Sequence, residues 1–222
     1  MLLREAATVV LLRDGAAGLE TWLLRRVPKM AFAAGMSVFP GGAVEESDFL
    51  NHPVLESVAQ NLGTTVEHAG AIVAAAIRET IEEVDVVLGA DAIFPWARWI
   101  TPEAEPRRYD TYFFVAALPE GAAAAAVTTE ASHADWIGVH DALAEYKRGE
   151  RPMLPPTVAT LTEISRYSHA TDVVQAAAGR QVKPVQPVLR KSEDGVWVAD
   201  FGNGNVIPLP AGFRTASGNA LS

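Results

Sequence analysis

The sequence predicts an α/β fold, a mixed sheet flanked by helices, and three observations predict it. An apolar, β-branched run is followed across a glycine turn by a second one. A long Ala-, Ile- and Glu-rich stretch between residues 66 and 88 has helical character. The strand signals come as hairpins rather than as regular strand–helix–strand repeats. Ala7 to Leu12 (ATVVLL) is the first strand and Glu20 to Val27 the second, joined by a turn over Gly15 to Gly18. The following PKMAFAAGMSVFPGG, with Pro28, Gly35, Pro40, Gly41 and Gly42, reads as loop, short strand and tight turn. A short helix near Val54 to Leu62 is bracketed by Pro53, which suits a first helical turn, and Gly63, which suits a C-terminal stop. The main helix runs from about Val66 to Leu88 and ends near Gly89. Arg98 to Thr101 and Tyr109 to Leu118 are strands, the second central, and Gly121 to Thr129 is an alanine-rich loop. Trp136 to Val139 is a strand, and Asp141 to Lys147 a short helix capped by His140 or Asp141. Pro155 and Pro156 open a helix reaching about Tyr167, and a second short helix lies near Thr171 to Ala178. PVQPVLRK and VWVADF are extended, and a small polar tail starts at Arg214.

Composition bounds the function. A chain of 222 residues is one large domain or one domain with an extension. With 49% hydrophobic and 20% charged residues, wholesale disorder is excluded. The apolar stretches fall well short of the roughly 18–20 residues that cross a bilayer. The start, MLLREAATVVLLRD, alternates like a strand, with Arg4 and Glu5 interrupting it, and does not read as a signal peptide. Zero cysteines exclude disulfides, thiolate metal sites and a cysteine nucleophile, and the cytoplasm is the expected location. A formal net charge of −9 weighs against non-specific nucleic-acid binding. An acidic enzyme can still act on anionic phosphates where a metal ion or a local basic cluster neutralises them.

The informative stretch is AAIRETIEEVDVVL. Glu79, Glu82 and Glu83 stand at i, i+3 and i+4, so their carboxylates share one helix face. Ile77, Ile81 and Val84 fall on the other side and give the helix an apolar face to bury. Three like charges on one turn repel, and a divalent cation relieves that repulsion; all-oxygen ligands suit Mg²⁺ or Mn²⁺ rather than zinc. Arg78 can reach Glu82 at i+4 and hold it in place. A glutamate cluster alone is more often a solvated face. Upstream, however, VFPGGAVEESD supplies a Pro-Gly-Gly turn whose backbone can approach a metal or a phosphate, which bulkier residues would block.

Together the two segments resemble the Nudix hydrolase signature: G, five residues, E, seven residues, R-E-U-x-E-E-x-G-U, with U a bulky aliphatic. Gly42 matches the first position, Asp48 stands at the acidic one, and Arg78, Glu79, Glu82 and Glu83 match R-E and E-E. Three departures are visible. Asp48 replaces the usual Glu, Asp85 stands where Gly follows the E-E pair, and 29 residues separate Asp48 from Arg78 where the family has seven. With Asp85 in place of Gly, the helix either ends in a strained left-handed residue or continues to Gly89. The insertion, with LLRRVPKMAFAAGMSVFPGG, RRYDTYFFVAALP and GERPMLPPTVATL, is similar to the branch that includes coenzyme A diphosphohydrolases.

The resemblance implies a Nudix-type α/β/α sandwich over residues 1–168 with an insertion at about 49–73. Residues 169–222 then form a C-terminal extension packed on that domain, frayed from about 214. It implies a hydrolase of the diphosphate bond of a nucleoside diphosphate linked to another moiety, coenzyme A or an acyl-CoA among the candidates. Mg²⁺ or Mn²⁺ would be held by Glu79, Glu82, Glu83 and the Gly42 carbonyl. Arg78 would orient the carboxylates, and Glu79 or Glu130, with Glu120 as runner-up, would act as base. Arg25, Arg26, Lys29, Arg107 and Arg108 are candidates to bind substrate phosphates, as arginine does well. Tyr109, Tyr112, Phe113 and Phe114 could stack on a base, and Phe32 and Met36 could wall the pocket, although aromatics at this spacing are more often core. His52, His68, His133, His140 and His169 show no ligand spacing. A small-molecule partner is expected, with no nucleic acid and no membrane, and dimerisation by family analogy. The alternative from another class is a non-catalytic nucleotide-sensing module, for which Asp85 is the only support.

Overall fold

The computed structural model describes every residue except 1–2, 17, 28–32, 34, 104, 106, 127–130, 203–204 and 210–222. Strand β1 (Leu3–Gly15) is buried from Ala6 to Leu12 on both faces, which explains why its sequence is continuously apolar rather than alternating. It turns back into β2 (Gly18–Arg26), then β3 (Ser37–Val38) and β4 (Gly41–Ala43). Helices α1 (Leu55–Leu62) and α2 (Val66–Val84) follow, then β5 (Phe94–Ile100), β6 (Arg108–Ala117) and β7 (Ala131–Gly138). Three helices come next, α3 (Val139–Lys147), α4 (Pro155–Ile164) and α5 (Ala170–Ala177). The chain finishes with β8 (Pro184–Val185), β9 (Val188–Lys191), β10 (Trp197–Asp200) and β11 (Val206–Pro208).

The main sheet has the order β3-β2-β1-β6-β5-β8, with β4 added on β1 and β7 on β2. It is mixed as expected. β1 runs parallel to β6 from Leu3↔Arg108 to Leu12↔Ala117, whereas β2, β4 and β7 pair antiparallel. Period-two alternation then sorts the side chains into two cores. Val9, Leu11, Tyr112 and Phe114 face one core under α1 and α2, while Val10, Leu12, Phe113 and Val115 face another with residues of α3, α4 and α5. The result is the expected α/β/α sandwich with a mixed sheet. Tyr112 and Phe114, offered as base-stacking aromatics, are core residues here. Strands β11-β10-β9 form a separate three-stranded sheet.

The inserted segment contributes to the core. Leu55, Val58, Ala59 and Leu62 of α1 join the cluster under α2. Gly63 ends α1 in the left-handed conformation, φ 65°. Three expectations are corrected, and of the two ends offered for α2 the left-handed one at Asp85 is observed. Helix α2 ends at Val84 rather than near Gly89, because the chain must turn there to bury Val86 and Leu88. Asp85 itself adopts the left-handed cap, φ 58° and ψ 32°, its N–H donating to the Ile81 carbonyl. Ile81 is exposed rather than buried, and Glu83 rather than Ile81 turns inward. Helix α3 begins at Val139 with Gly138 as its cap, so His140 and Asp141 lie inside the first turn. The expected frayed tail lies outside the described residues.

Asp85 thus carries a left-handed backbone and a negative charge at a helix C-terminus, both unfavourable. Asp85→Gly is expected to raise stability by about 0.5–1 kcal/mol and Asp85→Ala to lower it by a similar amount, read from urea unfolding.

Candidate functional site

The site is assembled from the turn before β4 and the C-terminal half of α2. Thr8 holds the turn, its hydroxyl donating to the Pro40 carbonyl at 2.6 Å, and the Val9 N–H donates to the same oxygen. The two glycines that follow lie against β1, Gly41 opposite Thr8 and Gly42 opposite Ala7. A β-carbon on Gly41 would strike the Ala7 carbonyl and Thr8, and one on Gly42 would fall on the Glu79 carboxylate. Gly41 is therefore required by close approach to backbone and by its positive φ, whereas a side chain at Gly42 would displace the Glu79 carboxylate.

Arg78 organises the carboxylates. Its Nε and Nη2 donate to the two oxygens of Asp48, each at 2.9 Å, as a two-pronged fork. Nη1 donates to Glu79 at 2.7 Å and to Glu82 at 3.4 Å, and Nη2 also to the Ala43 carbonyl at 2.9 Å. The contacts match the five N–H donors of a guanidinium. Asp48 also accepts the Glu45 N–H, so it ties the loop after β4 to the helix. Glu83 accepts the Gly41 N–H at 2.9 Å. The helix face predicted from the i, i+3, i+4 spacing is therefore graded: Glu82 is exposed, Glu79 partly buried and Glu83 buried.

Charge and burial set the protonation equilibria. Hydrogen bonding to Arg78 holds Asp48 below the usual carboxylate value, outweighing its desolvation. Burial pushes Glu79 above the usual value, against the pull of Arg78. The Arg78 guanidinium is raised, chiefly by Asp48.

These residues border a cleft of about 590 Å³. Of the predicted site residues, it brings together Gly42, Arg78, Glu79, Glu82, Glu83 and Arg26. Tyr109 and Phe113 also reach it. Arg25 and Arg107 are exposed and Arg108 donates to the Thr101 carbonyl; these three do not line it. Glu120 is an exposed residue after β6, also away from the cleft. Lys29, Phe32 and Glu130 lie outside the described residues. Glu45, Trp99 and Glu105 line the cleft without having been singled out; for Glu45, its place in the same acidic VEESD loop as Asp48 was the available signal. Among the described residues, no three His, Asp or Glu side chains converge as a ready-made metal cage. Arg78 engages Glu79 and Glu82, and the Gly41 amide engages Glu83. The donor chemistry nonetheless suits a hard divalent cation, with oxygen-only ligands beside a glycine that leaves the Glu79 carboxylate uncovered.

Comparison with known proteins decides the family. Residues 2–156 match the NUDIX domain. The chain belongs to the Nudix hydrolase family. A Caenorhabditis elegans protein assigned by name to the nudix hydrolases is 26% identical over 182 residues, covering 73% of this chain and 61% of that protein. The acyl-coenzyme A diphosphatase NUDT19 of Xenopus laevis is 21% identical over 260 residues, covering 80% of this chain and 68% of that protein. The chain thus spans about three fifths to two thirds of these relatives' length. The crystal structure of the NUDIX hydrolase from Alicyclobacillus acidocaldarius superposes with a TM-score of 0.65 at 25% identity, over 79% of this chain and 96% of that one. The NUDIX domain of Shewanella oneidensis NrtR complexed with ADP ribose superposes at 0.52 and 14% identity, over 75% of this chain and 88% of that one, a likeness of fold. Set against the Nudix signature, Asp85 performs the conformational task of the missing glycine. Among the described residues, no helix is long and apolar enough to cross a membrane.

Two outcomes test this geometry. Gly42→Ala is expected to lower hydrolase turnover by about 100-fold or more while the thermal melt stays cooperative, because the Glu79 carboxylate must move. The folded Asp48 carboxyl titrates below its ordinary value of 3.8. Its stabilising contribution is present above that value and is lost as pH falls through the lowered one. Asp48→Asn should therefore flatten the acid limb of stability between about pH 2 and 5, measured as urea midpoints.

Proposed function

We propose that this Nudix protein is a metal-dependent hydrolase of the diphosphate bond in a nucleoside diphosphate linked to another moiety, coenzyme A or an acyl-CoA being the favoured class. The observation that carries the reading is the Arg78 fork, which gathers Asp48, Glu79 and Glu82 at the edge of a cleft large enough for such a ligand. The name of the Xenopus relative supports the coenzyme A class. Glu79, Glu82, Glu83 and the Gly42 carbonyl would hold Mg²⁺ or Mn²⁺. When bound, such an ion neutralises phosphate oxygens and makes water a stronger nucleophile.

The chain's own residues do the rest. Arg78 keeps the carboxylates from splaying apart under their mutual repulsion, and Asp48 fixes Arg78. Glu79, whose burial raises its affinity for a proton, or Glu130 accepts the proton of the attacking water. The water oxygen bonds to one phosphorus, the bond from that phosphorus to the bridging oxygen breaks, and the bridging oxygen leaves with the electron pair. With coenzyme A the products are adenosine 3′,5′-bisphosphate and phosphopantetheine. Arg26, on the cleft wall, is the candidate best situated to meet the phosphates. A non-hydrolysing sensor is the weaker reading, because Asp85, its only support, takes the cap conformation that glycine would provide. The same proposal takes residues 1–168 as the catalytic domain and 169–222 as its extension. Zero cysteines suit the reducing cytoplasm.

The test is a panel of diphosphates assayed with Mg²⁺ and Mn²⁺. Turnover should vanish on chelation, return with metal, and fall by about 100-fold or more in Glu82→Gln and in Glu83→Gln. Wild-type rates in both variants would refute the assignment.

A further inference from the structure

Part of the cleft is walled by residues that the Nudix signature does not contain. Leu154 and Pro155 at the start of α4, and Pro187, Leu189, Ala199 and Leu209 around the small C-terminal sheet, line the same cleft as the carboxylates. The last four fall after residue 156, where the family match stops. The register orients this sheet. Leu189, Ala199 and Ile207 stand in one cross-strand row, and so do Val188, Asp200 and Val206. The first row faces the body of the protein, with Ala199 fully buried and Ile207 packed on the core. In the second row Val188 and Val206 are exposed. The sheet is pinned in place. The Tyr146 hydroxyl donates to the Pro208 carbonyl at 2.6 Å, and the Leu209 N–H donates to the Trp197 carbonyl at 2.9 Å. Phe201 meets Trp99 edge-on at 5.4 Å, and Trp99 lines the same cleft. One cavity is therefore lined both by Arg78 with its glutamates and by residues of the C-terminal segment that are all aliphatic.

We infer that the C-terminal sheet is a specificity element of the active cleft, with Leu189, Ala199 and Leu209 forming an apolar subsite for the non-phosphate arm of the substrate. A diphosphate bearing an aliphatic arm is favoured there over one bearing a sugar, whose hydroxyls would lose water against this wall without gaining partners. The inference rests on the diphosphate-hydrolase reading.

Leu189→Ala, the harsher Leu189→Asp, and Ala199→Leu, which adds bulk within the buried wall, are compared with wild type on decanoyl-coenzyme A and ADP-ribose in Mg²⁺. The readout is the ratio of kcat/KM for the two substrates. The ratio should fall about tenfold or more in Leu189→Asp and several-fold in the other two, mainly through KM for the decanoyl substrate. Thermal melts identify the variants that fold, and Leu189→Ala carries the test if Leu189→Asp does not. A ratio within about twofold of wild type in the folded variants overturns the inference. Calorimetry gives a readout free of turnover: the decanoyl chain should strengthen binding relative to coenzyme A in wild type and do so less in Leu189→Ala, and an equal gain in both overturns the subsite. Undiminished turnover in Glu82→Gln would instead overturn the hydrolase reading, so the two failures are distinguishable.

Discussion

Electrostatic repulsion among carboxylates is the constraint that organises this protein's cleft. Asp48, Glu79 and Glu82 crowd into one corner, and among the described residues the Arg78 guanidinium alone touches all three. Its planar fork makes that possible, since a lysine in its place would offer a single point charge. Because 29 residues lie between Asp48 and Arg78, the same group also closes the long inserted loop onto the helix that follows it. The insertion is tolerable for a second reason. Its helix α1 brings Leu55, Val58 and Leu62 into the core, so the added chain contributes apolar burial to offset its ordering entropy.

The carboxylate cluster and its arginine were legible because their spacing is local. Glutamates at i, i+3 and i+4 must share a helix face, and Arg78 at i−4 from Glu82 must reach it. Burial was less legible. Nothing in the local pattern distinguishes Glu83, which turns toward Gly41, from Ile81, which faces outward; the choice is made by β4, more than forty residues away in sequence. The local pattern permits two ends for the helix, Asp85 and Gly89. Asp tolerates a left-handed backbone better than most residues though less well than Gly, and the burial of Val86 and Leu88 decides for Asp85. The strands were readable from their β-branched runs, but the parallel pairing of β1 with β6 is a long-range choice that no local run announces.

The cleft draws on both ends of the sequence. Its carboxylate-bearing wall comes from α2 and the β4 turn, held by backbone packing against β1. Its aliphatic wall comes from chain laid down after the matched domain and fastened through Tyr146 and Trp99. The division mirrors a common arrangement in which a conserved scaffold supplies chemistry while peripheral segments shape what enters. Arg26 lies on the wall and Arg25 points to solvent, as strand alternation requires, so a pair of adjacent arginines contributes only one to the cleft.

The β1–β6 ladder has a consequence for birth of the protein on the ribosome. Its first strand, hydrophobic on both faces, finds its parallel neighbour only when residues 108–117 have been made. At ordinary translation speeds that leaves this segment waiting roughly 5–20 s with β2, β4 and the helices α1 and α2 as its available cover and its β6 edge unpaired. Until that neighbour arrives, the unpaired edge of this strand is open to association with other chains, the general hazard of a parallel pairing between segments so far apart in sequence.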